Sequence, residues 1–257
     1  MDVLEFNREA WERQAAKGNP WTVPVGPEVI AAARAGRWDV VLTPARAVPR
    51  AWFGGLAGAR VLALASGGGQ QACVLAAAGA SVTLLDLSPS QLERDRAVAD
   101  RDGLAMVIQA GDMCDLSRFP DGAFDLVFHP VSNVFVPDPV PVWRECFRVL
   151  RPGGRLLAGF CQPFAFLFDD DEMERGELVA RHRVPYSDLV ARSPERLERM
   201  RAEGEPLAFG HTLEAQLGGQ LEAGFTLAAL YEDGWPGHAL GELIAPFMAT
   251  LAIRPGG

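Results

Sequence analysis

Three consecutive glycines, Gly67, Gly68 and Gly69, follow the apolar run 61–65, and a single carboxylate, Asp86, closes a second apolar run seventeen residues later. Backbone stripped of side chains passes close to a ligand and turns directly into a helix. A carboxylate at the end of the next strand can accept bonds from two vicinal ribose hydroxyls, each worth roughly 1.5–3 kcal/mol. The pattern suits a ribose-bearing cofactor. Asp86 has a competing use as a cap for the following helix, but Ser88 already offers that cap. A fourth apolar run ends in His129, a side chain suited to taking up a proton near neutral pH. The other use of such a histidine is to satisfy backbone and hold the loop.

These residues need a scaffold, and the apolar pattern supplies one. The continuous apolar run 61–65 and the mostly apolar runs 81–85, 106–110, 124–129 and 155–160 read as strands of a parallel sheet covered on both faces. Helical stretches separate them. The first is 70–78, stopped by Gly79; the second runs from Ser88 and Pro89 to about 102; the third is 140–150, broken by Arg151-Pro152-Gly153-Gly154. Beyond Phe160 the rhythm loosens over 161–211, which reads as an inserted lobe. A helix over 212–223, a strand over 225–231 and a last strand over 247–253 predict an antiparallel hairpin at the sheet edge. Ahead of the sheet, 3–17 reads as a helix carrying Leu4, Trp11 and Ala15 on one stripe and ending at Gly18-Asn19-Pro20. A second helix is expected over 28–37 and a short turn over 45–53.

Charge and composition narrow the function. The net charge of −9 and the seven Arg against eleven Asp and Glu in 169–205 leave no basic face for duplex phosphates, so nucleic acid is not expected as a partner. Cys73, Cys114, Cys146 and Cys161, with His129, His182, His211 and His238, show no metal-ligand spacing, and no metal is expected. No apolar run approaches the ~18 residues of a membrane span, and no leader pattern is visible at Met1, so a cytoplasmic protein is expected.

Five segments in order carry a family resemblance: Ala63-Leu-Ala-Ser-Gly-Gly-Gly69, Asp86-Leu-Ser, Gly111-Asp112-Met113, Phe124-Asp-Leu-Val-Phe128 and Phe147-Arg-Val-Leu-Arg-Pro-Gly-Gly-Arg-Leu-Leu157. Together they resemble the class I S-adenosylmethionine-dependent methyltransferases, in particular the bacterial type that acts on small molecules. Ala63 stands where that family usually has an acid, and Ala65 where it usually has a glycine. The resemblance implies an α/β fold: a Rossmann-like, doubly wound, mostly parallel seven-stranded sheet with an antiparallel C-terminal edge. Residues 1–55 are then an N-terminal helical lid and 56–257 the methyltransferase domain, with 161–211 an inserted acceptor-binding lobe.

The same resemblance implies S-adenosyl-L-methionine as cofactor and assigns its contacts to Ala65, Ser66, Gly67, Gly69, Gln70, Gln71, Asp86, Leu87, Gln91, Gly111, Asp112, Met113, His129 and Trp11. Asp112 would accept the adenine amine, Met113 would pack on the purine, and Gln70 and Gln71 would reach the methionine end. Trp11 and Trp21 would lie near the sulfonium. On the acceptor side, His129 is the candidate general base, with Ser132, Asn133, Phe164, Tyr186 and His211 as candidate substrate contacts, and Cys161, Gln162 and Phe166 beside them. His211 and Glu214 have a plainer use in starting a helix. The expected partner is a small-molecule methyl acceptor, for a monomer or homodimer. Two other functions fit the sheet: a non-catalytic binder of the same cofactor, and a nicotinamide-dependent reductase. The glycines lack the G-x-G-x-x-G spacing that seats a pyrophosphate, which disfavours the reductase.

Overall fold

The computed structural model describes residues 1–169, 172–173 and 175–256. The apolar runs form β1 (Arg60–Leu64), β2 (Ser81–Asp86), β3 (Met106–Ala110), β4 (Phe124–His129) and β5 (Leu150–Cys161). β1 pairs in parallel with β2 and β4, β2 with β3, and β4 with β5. The short strands β6 (Tyr186–Ser187) and β7 (Phe209–Gly210) form a separate antiparallel pair. β8 (Thr226–Asp233) and β9 (Phe247–Ile253) complete a seven-stranded sheet in the order β3-β2-β1-β4-β5-β9-β8. The terminal hairpin forms as expected, and its last strand is the inner one: β9 runs antiparallel to both β5 and β8.

Helices cover both faces, because strands this apolar must be shielded from water on each side. On one face α2 (Pro27–Arg34), α3 (Gln71–Ala77) and α4 (Pro89–Asp102) contribute Ile30, Leu75, Leu92 and Val98 against Val61, Leu84 and Phe128. On the other, α5 (Val140–Val149) sets Trp143, Cys146 and Val149 against Leu62, Leu64, Val127 and Leu156. All four cysteines are free thiols. Among the described residues no helix is long and apolar enough to cross a membrane, and no cluster of three or more His, Cys, Asp or Glu is placed to hold a metal ion.

Three elements differ from expectation, each for a local reason. β5 starts at Leu150 because Leu150 already pairs with Phe124, and the Arg-Pro-Gly-Gly turn is absorbed where the register shifts between Phe124 and Leu126. Residues 212–223 split into a π-helical stretch, Glu214–Gly218, and one α-turn, Gly219–Glu222. The break lets buried Gln216 face Asn133 and brings Gly219 so close to Trp143 that an added Cβ would lie 2.8 Å from its ring. Helix α1 (Val3–Lys17) buries Phe6, Asn7, Ala10 and Ala15, whereas Leu4 and Trp11 turn toward a cavity.

Candidate active site

A cavity of about 420 Å3 opens at the carboxyl ends of the parallel strands, where open α/β sheets bind their ligands. One end is built by the segments after β1, β2 and β3: Ala65, Ser66, Gly67, Gln70 and Gln71, then Asp86, Leu87 and Gln91, then Gly111, Asp112 and Met113. Asp86 is buried, and its burial raises its pKa, against which the amides it accepts pull down. Gly67 donates to Oδ2 at 2.8 Å and Ser88 to Oδ1 at 3.0 Å, with the Leu87 amide beside them, so the carboxylate shapes the glycine turn and still keeps acceptor capacity. An added Cβ at Gly67 would lie 3.0 Å from that carboxylate and 2.9 Å from Gln91 Cβ. Only glycine leaves this cradle open.

Ala65 has φ +49°, a left-handed conformation that costs a non-glycine residue roughly 1–2 kcal/mol. Its amide donates to Leu85 at 2.7 Å and its carbonyl accepts from Ser132 Oγ at 3.1 Å, which holds the strained turn in place. Two buried polar atoms at this end, Ser66 Oγ and Gln91 Oε1, have no hydrogen-bond partner among the described residues although both residues line the cavity. Buried polar groups are rarely left unmatched, so both are available to a polar ligand. Asp112 Oδ1 accepts the Cys114 amide at 2.9 Å, which fixes the turn that presents Asp112 and Met113 to the cavity. The expected S-adenosyl cofactor fits this donor and acceptor set.

The far end is apolar. Its walls include Leu4 and Trp11 of α1, Leu42 and Pro44, Val134 to Val136, Phe166, Met173, and Trp235, Leu240 and Phe247 around the β8–β9 turn. Among the described lining residues the charged side chains are Asp86 and Asp112, both at the first end.

Of the residues singled out by sequence, Trp11, Trp21, Ala65, Ser66, Gly67, Gln70, Gln71, Asp86, Leu87, Gln91, Gly111, Asp112, Met113, Ser132, Cys161 and Phe166 come together on the cavity wall. Gln70 and Gln71 also hold backbone: Gln70 donates to the carbonyls of Pro20 and Val23, and Gln71 accepts from Val41. Gly69, His129, Asn133, Gln162, Phe164, Tyr186 and His211 are not brought to the wall. Asn133 exchanges amide bonds with Gln216, and His211 bonds the Asn133 carbonyl at 3.0 Å, so this group ties the segment after β4 to the helix before β8. Tyr186 donates to Asp188 at 2.7 Å and stacks on Phe166 from behind the wall.

His129 is a correction. Its ring is fully buried, its Nδ1 lies 3.0 Å from the Leu64 carbonyl, and it meets Trp143 edge-on. Burial lowers its pKa to about 4. A neutral imidazole set between β1 and α5 holds the strand edge through Nδ1; it is not on the cavity wall, and its Nε2 has no hydrogen-bond partner among the described residues. His129→Asn is expected to cost about 1–3 kcal/mol of stability, through a weakened bond to Leu64, with the pH dependence of turnover unchanged. Lost turnover in a fully stable variant would restore the base role.

Sequence reasoning missed Asp95 and Glu12. Asp95, fully buried in α4, accepts Gly68 at 2.8 Å, Gly69, and the Cys73 thiol at 3.4 Å. Burial pushes its pKa up to about 7, with the two glycine amides opposing. A carboxyl whose folded pKa is raised contributes its stability below the unfolded value, near 4, and loses it as pH rises through 7. Stability is therefore expected to fall between pH 4 and pH 7 by up to about 4 kcal/mol, and Asp95→Asn to flatten that fall. Denaturation midpoints across this range check the sign.

A family model described as a methyltransferase domain matches residues 62–158. The chain is 45% identical over 252 residues to the uncharacterized methyltransferase YbaJ of Bacillus subtilis, with 98% of each chain covered. It is also 32% identical over 153 residues to a ubiquinone biosynthesis O-methyltransferase of Xanthomonas euvesicatoria, covering 59% of this chain and 60% of that one. Among solved structures, an S-adenosylmethionine-dependent methyltransferase from Mesorhizobium loti superposes with a TM-score of 0.62 at 22% identity, covering 80% of this chain and 95% of the other. That likeness concerns the fold. With the glycine cradle, Asp86 and the full-length relative in hand, the chain belongs to the class I S-adenosylmethionine-dependent methyltransferases.

Proposed function

We propose that the protein methylates an uncharged, largely apolar small molecule, and that residues 161–211 form the lobe that selects it. The observation carrying this reading is a single cavity: it starts at Gly67 and Asp86 and continues into a chamber walled by Leu42, Phe135, Phe166, Met173 and Phe247. S-adenosylmethionine supplies an electrophilic methyl carbon on a sulfonium. Asp86 would take the ribose hydroxyls and Asp112 the adenine amine, with Leu87 and Met113 as the apolar neighbours of the purine. Ser66 and Gln91 offer their unmatched polar atoms to the remainder.

The chain's own contribution to rate is alignment and exclusion of water. Holding two reactants in line can supply on the order of 7–11 kcal/mol of the barrier. Trp11, set edge-on against Phe135 with ring centroids 5.2 Å apart, forms part of the chamber wall. Its aromatic face also suits a nearby cation. An apolar wall favours an acceptor that leaves no charge unpaired on entry. The likeness of the central segment to ubiquinone biosynthesis O-methyltransferases supports an organic acceptor.

The test is transfer from methyl-labelled S-adenosylmethionine into a cell extract split into organic-soluble, aqueous and macromolecular fractions. Label is expected in the organic-soluble fraction. Label confined to protein or nucleic acid would overturn the small-molecule reading, and bound cofactor without transfer would return the non-catalytic binder.

A further inference from the structure

We infer that Glu12 is a positioning residue: it links the cofactor carboxylate Asp86 to helix α1, and α1 in turn builds the wall of the acceptor lobe. The inference rests on reading 161–211 as the acceptor side.

The first link lies at the start of α4. Asp86 Oδ1 holds the Ser88 amide, and Ser88 Oγ donates to Glu12 Oε1 at 2.6 Å. Ser90 donates its amide to the same oxygen at 3.0 Å and its hydroxyl to Oε2. A helix start carries unpaired amides and favours an anion; here the anion arrives from α1 rather than from α4 itself. Partial burial raises the Glu12 pKa, but the bonds from both serines outweigh it and leave the carboxyl below its usual value. Arg94, also on α4, donates to the carbonyls of Ala15 and Thr22 and fixes the far end of α1.

The second link runs from α1 to the lobe. Asn7 donates to the Leu207 carbonyl at 3.1 Å and accepts the Leu207 amide at 2.7 Å, and Gln14 donates to Gly204 at 2.6 Å. The lobe's apolar cluster of Met200, Leu207 and Phe209 is completed by Phe6 of α1. Without α1 that cluster opens to water. On the same helix Leu4, Asn7 and Trp11, three and four residues apart, face the cavity.

One helix of fifteen residues thus touches the cofactor's holder on one flank and the lobe on another. Free energy that a bound cofactor gives to the seated position of α1 is shared with the lobe, and such coupling is reciprocal. Bound cofactor therefore favours the finished chamber, and an acceptor in the chamber favours the cofactor to the same extent.

Hydrogen exchange on the full chain, with S-adenosylhomocysteine as the probe, tests this. In the unmutated protein the probe is expected to protect Gly67 and Gly68 and also to slow exchange at Leu207 by about tenfold, a usual size for coupling between two sites. Glu12→Ala should keep the protection at Gly67 and Gly68 and lose the slowing at Leu207. Glu12→Gln, which retains a carbonyl acceptor, should restore most of it. Leu207 unaffected by the probe, or still slowed in Glu12→Ala, overturns the inference. No protection at Gly67 and Gly68 overturns the cofactor assignment with it.

Discussion

Replacing Gly68 by alanine is expected to damage both the fold and cofactor binding. Gly68 has φ +115°, a region that L side chains rarely adopt, and an added Cβ would lie 2.6 Å from the Trp21 carbonyl oxygen. That neighbour is backbone, and it is pinned on either side by Gln70 and Arg94. The N-terminal segment must lift or the glycine turn must deform. Either way Asp95 loses its bond from the Gly68 amide. A stability loss of about 2–4 kcal/mol is expected, together with at least tenfold weaker binding of S-adenosylhomocysteine. Denaturant midpoints and calorimetry measure the two effects. A variant within about 0.5 kcal/mol of the parent would show that the turn is not held as described.

Asp86→Ala is expected to weaken cofactor binding by about one to two decades, the value of charge-assisted bonds to a pair of hydroxyls. It also strips partners from the amides of Gly67 and Ser88, at about 1–3 kcal/mol for each buried donor left alone. Asp86→Asn separates the two roles. Its carbonyl can still accept one amide, so stability should partly return, while the charge that strengthens the ribose bonds does not. Calorimetry with S-adenosylhomocysteine on both variants reads the difference. Unchanged affinity in Asp86→Ala would remove Asp86 from the cofactor site.

The two predictions bear on what the sequence can convey. β4 was legible because a strand buried on both faces must be nearly apolar throughout, and 124–129 matches it; β3 matches 106–110 although, at the sheet edge, it is only half-buried. The cradle was legible for a similar reason. A turn that tolerates no Cβ must be glycine, and the acid at the end of β2 stands alone on an apolar strand. Asp95 was hidden because α4, Pro89–Asp102, is crowded with charged residues and reads as a solvated helix. It is buried by the glycine turn packed above it, a contact that no local period encodes. Glu12 was hidden likewise, since its partners lie on a different helix.

His129 misled in the opposite sense. A polar residue at the end of an apolar strand looks like a site, but α5 brings Trp143 against the ring and closes it off. Leu4 and Trp11 were on one stripe as expected, and only the position of α1 decided that the stripe faces a cavity. Asn133 read as a substrate contact because it follows β4, and His211 because it closes the 161–211 segment. Their partners, Gln216 and the Asn133 carbonyl, are settled by the break in the helix over 214–222.

In the proposed reading one cavity seats the adenosyl group at Asp86 and turns its sulfur toward an apolar chamber. A crystal structure with S-adenosylhomocysteine addresses it directly. The predicted result is ribose hydroxyls on Asp86, adenine beside Asp112, and the thioether sulfur facing the space between Trp11, Phe135 and Phe166. Ligand bound elsewhere, or a sulfur directed to open solvent with the chamber shut off behind it, would contradict the account.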